Sequence, residues 1–132
     1  MNFNDILFYS HSGVRWLVVA MTLVALAWLI LLAVRSSAYN KTANTIMRIW
    51  STLIGIQWAL GVVLFIALGV FDSAHRWEHA VTLTIALVTA HIHYMLKKRP
   101  DRVRIIGGLV SVLVTLALVY VGVARLPQGW GM

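Results

Sequence analysis

No cysteine occurs anywhere in the 132 residues, which excludes disulfides, thiolate metal sites and cysteine nucleophiles and leaves the redox compartment unreadable from thiols. Acids are almost as scarce, with four Asp and Glu against eleven Lys and Arg. No acid–base pair, activated nucleophile or nucleotide-binding glycine motif is present to argue for a hydrolase or a transferase. Proline occurs only twice, as Pro100 and Pro127, both between or after apolar runs, where a helix stops without losing an internal hydrogen bond. What is abundant is apolar surface. The chain is 61% hydrophobic, more than a water-soluble domain of this size can hide.

Four apolar runs, at 13–34, 50–70, 80–96 and 105–124, are long enough to cross a hydrocarbon core of about 30 Å, which takes roughly 20 helical residues. The expected fold is therefore all-α, a single integral membrane domain built as a four-helix up-down bundle. The start, "MNFNDILFY", lacks the basic opening of a cleaved signal, and the first run ends in a charged loop instead of a small-residue cleavage site, so helix one is expected to stay. The basic charge sits in two places. Arg35, Lys41 and Arg48 follow the first run, and Lys97, Lys98, Arg99, Arg102 and Arg104 follow the third. By the positive-inside rule both loops are cytoplasmic, which puts the two termini and "FDSAHRWEHA" on the outer side of a bacterial inner membrane. The excess charge reads as topology, and nucleic-acid binding is not expected.

Trp16, Trp77, Tyr120 and Trp130 gather toward the outer boundary and Tyr39, Trp50 and Tyr94 toward the inner one, as amphipathic rings do at headgroup level. Small residues recur every fourth position on three helices: Ser51, Gly55 and Ala59; Thr82, Ala86 and Ala90; Gly107, Ser111 and Thr115. In lipid, where no hydrophobic drive brings helices together, such rows are expected to be packing seams.

The informative residues in so apolar a chain are the ionisable ones, because each is costly inside a bilayer unless paired, liganded or hydrated. His11 opens helix one, while His75 and His79 open helix three; both helices run inward, so His11 and His79 enter at similar depth. Two imidazoles from facing helices are the axial pair that a b-type haem requires. At 3.6 residues per turn, the His79 face continues through Leu83, Ala86, Ala90 and His93, and the alanines leave room for a flat ring. The His11 face continues through Arg15, Val18, Thr22 and Ala25. Arg15 and Arg76 then stand where guanidinium groups pair with propionates. The competing reading is that His11 and Arg15 merely snorkel to headgroups, Arg15 pairing with Asp72 or Glu78. His75, one turn earlier, is the rival of His79 as ligand.

His93 lies fourteen residues after His79, the same-helix spacing of a two-haem protein, but helices two and four carry no histidine to complete a second site. Hydrogen bonding of His91 and His93 to Gln57, Thr89 or main chain is the expectation, with a quinone headgroup on the same donors as the alternative. "HRWEH" fits the H-x-x-E-H pattern of some zinc peptidases. The only acid downstream is Asp101 on the other side, so no third ligand or base is available. Glu78 is expected instead to orient an imidazole or to pair with Arg76.

On His11, Ser12 and Arg15 ("HS-x-x-R"), Glu78 and His79 ("EH"), the basic loop after helix three, and Pro127 with Trp130, the chain resembles small four-helix bacterial membrane proteins catalogued as cytochrome b-like. It is less similar to the haem-carrying, three-span anchors of succinate dehydrogenase. The resemblance implies one haem b near the outer face and electron transfer with other membrane subunits or an outer-side redox protein; a homo-oligomer is compatible with it. The alternative from another class is a cofactor-free accessory subunit of a respiratory or photosynthetic complex.

Overall fold

A computed structural model describes residues 2–69, 71–127 and 129–131. Its elements are α1 (Phe3–Val34), α2 (Lys41–Leu68), α3 (Ala74–Ala90) followed by a 3₁₀ turn (Ile92–Leu96), α4 (Asp101–Ala124), and a terminal 3₁₀ turn (Gly129–Gly131). No strand occurs among the described residues. Four segments, with the 3₁₀ turn extending the third to Leu96, are long and apolar enough to cross a membrane. Each helix packs on the next and α4 returns to α1. Short connections make neighbours antiparallel, so α1 lies diagonally across from α3.

The helices outrun the apolar runs because their caps lie beyond them. Helix α1 begins at Phe3 and not at residue 13: the Asn2 side chain accepts from Asp5 N at 2.9 Å while Asp5 reaches back to Asn2 N, a reciprocal capping box. Asn40 caps α2 by accepting from Ala43 N, which moves its start from 50 to 41. Helix α2 stops at Leu68, where Gly69 adopts φ +63 and closes the end on Phe65 O and Ile66 O; position 70, the expected limit, lies outside the described residues. Helix four starts at Asp101, one turn ahead of 105. His11 thus stands about two turns, roughly 12 Å, inside α1 and not at its mouth.

The third helix is broken where the sequence suggested continuity. His91 Nδ1 donates to Leu87 O at 2.8 Å, occupying the carbonyl that the residue-91 N–H takes in a regular α-helix, and that N–H turns to Val88 O instead. The Ser111 hydroxyl likewise captures Thr89 O from α4. The chain tightens into the 3₁₀ turn, which swings His93 into the bundle.

The core runs along one stripe of α1, comprising Arg15, Val18, Thr22, Ala25, Leu29 and Leu32, all buried. It meets Ala43, Met47, Trp50 and Ile54 of α2 and Ile105 and Val112 of α4. Trp50 is no boundary residue: it is fully buried, with Nε1 donating to Thr22 Oγ1 at 3.0 Å while Thr22 donates on to Val18 O. The indole needs an acceptor when buried, and a helix-interior threonine supplies it. The seam expected on α2 also differs, since Gly55 has open space beside it and Ala59 is exposed. The rows on α3 and α4 do pack, with Ala86, Ala90, Ser111 and Thr115 buried. A methyl on Gly107 would collide with Leu96, and one on Gly122 with Leu83.

Candidate functional site

His11 and His79 come together across the diagonal of the bundle, their rings 6.5 Å apart between centroids and 89° apart in plane. The two rings are therefore in edge-to-face contact, each contributed by a different helix.

Each ring is set by a neighbouring helix that carries no histidine. His79 Nδ1 lies 2.8 Å from Gly122 O of α4. A carbonyl only accepts, so Nδ1–H is the donor and the lone pair of the neutral ring sits on Nε2, the form in which a histidine ligates with its second nitrogen anchored. Glu78, the orienting acceptor expected from sequence, is exposed; the glycine carbonyl has its place. Gly122 allows this by letting α3 approach α4, with Thr82 and Leu83 lying where its side chain would be. The His11 ring lies along α2 beside Gly61, where a β-carbon would stand 3.0 Å from Cε1. Gln57, one turn earlier, donates through Nε2 to His11 O at 2.8 Å. His11 Nδ1 and Gln57 Oε1 are both buried without a hydrogen-bond partner. Gly61, Gly122 and Gln57 carried no motif in the sequence.

Arg15, 7% exposed, lies one turn below His11. Its guanidinium carbon sits 4.9 Å from the Trp16 ring centroid and 5.5 Å from that of Trp130. Trp130 folds back from the terminal turn, stacks on Tyr120 and donates to Tyr120 O. Arg15 is thus held under an aromatic cover by cation–π contact. Arg76 is half-buried in the first turn of α3, where its N–H bonds Ser73 Oγ. His75 is exposed, and Ala86 is fully buried on the His79 face.

The other two histidines lie at the far end of α3. His91 stacks on Tyr94 and bonds its own helix. His93 is buried, with Nε2 3.0 Å from Ser51 Oγ. Ser51 spends its proton on Arg48 O, so it accepts from His93 Nε2–H. Of the expected partners, Gln57 instead binds the main chain of His11, and Thr89 bonds Thr115 and Ala86 O.

Among the described residues no group of three or more His, Asp or Glu is placed to hold a metal ion. A haem held by two imidazoles asks the protein for fewer ligands than such a group. Comparison with protein families, curated proteins and solved structures returns no match.

Proposed function

We propose that this is a small b-type cytochrome-like electron-transfer protein of a bacterial inner membrane, holding one haem between His11 and His79. The observation that carries the reading is the facing imidazole pair at 6.5 Å. The Nδ1 of His79 tied to a main-chain carbonyl and the glycine beside the His11 ring are what such a pair needs. When bound, the haem supplies one-electron redox chemistry. The residues would do the rest: His11 and His79 would hold the iron through ring nitrogens, Ala86 would leave room on the His79 face, and Arg15 and Arg76 would supply positive charge on the side of the termini. The loop cations favour termini outside, so electrons would exchange with an outer-side redox protein or with neighbouring membrane subunits.

A cofactor-free packing subunit is the second reading. It is favoured by the stacking of Arg15 on Trp16 and Trp130 and by the edge-to-face packing of the two imidazoles on one another. The visible spectrum of protein purified in detergent separates the two. The cytochrome shows a Soret band with sharp reduced α and β bands, and a colourless, folded preparation means the packing subunit. His11→Ala or His79→Ala should abolish the low-spin bis-imidazole spectrum, while His91→Ala and His93→Ala keep it; equal loss from His93→Ala would overturn the assignment. A quinone headgroup bound near His91 and His93 would instead appear as quinone co-purifying with wild type and lost from both of those variants.

A further inference from the structure

The end of the bundle away from the termini carries more than diffuse charge. Arg35, Lys41, Lys97, Lys98, Arg99 and Arg102 are all exposed there, and Asp101 is the one acid among them. Where the α1–α2 connection meets the first turn of α4 lies an open cavity of about 520 Å³ lined by Ala33, Ser36, Ser37, Ala38, Asp101 and Arg102. Arg102 reaches its rim, where Nη1 donates to Ala33 O at 3.3 Å, a carbonyl that also accepts from Ser36 N in the turn that ends α1. That bond uses one of the five donors of the guanidinium. The same helices expose Ile30 and Val34 on α1 and Val103 and Ile106 on α4, each within about one turn in sequence of the lining residues Ala33 and Arg102.

We propose that this cavity binds the headgroup of an anionic phospholipid bearing free hydroxyls, of the phosphatidylglycerol type. Arg102 and the serine hydroxyls donate to the phosphate, a charge-assisted contact, and Asp101 accepts from the headgroup diol. The carboxylate makes the choice: it repels a bare phosphate, whereas a hydroxylated headgroup satisfies it. The exposed apolar residues of α1 and α4 take the acyl chains, and the surrounding cations concentrate anionic lipid at this face.

Native mass spectrometry of the full-length protein in mixed micelles, with phosphatidylglycerol or phosphatidylcholine added, tests this. Phosphatidylglycerol should be retained over phosphatidylcholine. Arg102→Gln should cut retention by about ten-fold or more, as expected for losing a hydrogen bond to a charged group. Ser37→Ala, which leaves the Arg102–Ala33 bond intact, should lower retention too. Arg99→Gln, with the same charge change outside the cavity, should leave it within about two-fold. Equal losses from Arg99→Gln and Arg102→Gln would reduce the effect to the charge of the loops and overturn the site. Thermal protection by glycerol 3-phosphate equal to that by the lipid would identify a free phosphate site and overturn the lipid assignment.

Discussion

Replacing Gly61 by alanine would place a methyl carbon 3.0 Å from Cε1 of His11 and 3.6 Å from its Nδ1. Ordinary carbon contacts begin near 3.4 Å, so the imidazole must give way by a few tenths of an ångström, comparable to the tolerance of about 0.5 Å that a ligand geometry allows. Gly55, six residues earlier on the same helix, has nothing within 4 Å of its would-be methyl. The two substitutions share the gain in helix propensity, about 0.8–1 kcal/mol each, and differ in the overpacking that Gly61→Ala adds, about 1–3 kcal/mol. Gly55→Ala should stabilise the fold, and Gly61→Ala should fall about 1–3 kcal/mol below it. Denaturant titration in mixed micelles, followed by tryptophan fluorescence, reads the difference. The spectrum of any bound haem should broaden or weaken in Gly61→Ala alone. If Gly61→Ala stabilises as much as Gly55→Ala and leaves the spectrum untouched, the His11 ring is not seated against α2 and the description of the site fails.

Two other outcomes follow from the packing and from the charge. Thr22→Val keeps the volume of the side chain but leaves the indole N–H of Trp50 buried without an acceptor, and should cost about 1–3 kcal/mol; an unchanged unfolding midpoint would mean the indole is satisfied elsewhere. Single cysteines at Asn4, Ser73 and Asn44 should label with an impermeant thiol reagent in intact cells at positions 4 and 73 and be protected at 44. The reverse pattern would invert the bundle and carry the histidine pair to the cytoplasmic face.

Much of the architecture follows from the order of residues alone, because in a chain with so little polar surface the apolar runs leave few choices. The number of helices, their short connections and the inward stripe of α1 through Arg15, Val18, Thr22 and Ala25 come from length and period. So does the placing of His11 and His79 at similar depth on different helices. Period assigns a residue to a face of its own helix. It says nothing about which neighbour that face meets or how closely.

That information belongs to the tertiary structure, and four features here depend on it. The carbonyl that fixes His79 comes from Gly122, 43 residues away, and is available only because α4 lacks a side chain there. Gly61 and Gln57 matter because α2 happens to pass the His11 ring. Trp50 reads as a boundary aromatic until Thr22 is found opposite its N–H. The break at His91 arises from a side chain competing for Leu87 O and from the Ser111 hydroxyl competing for Thr89 O, both invisible to a hydropathy pattern that stays helical through Leu96. Apart from the His91–Leu87 bond, which lies within α3, each of these features depends on a distance across helices. Such distances are set by how four cylinders rotate and settle together, which no single helix encodes.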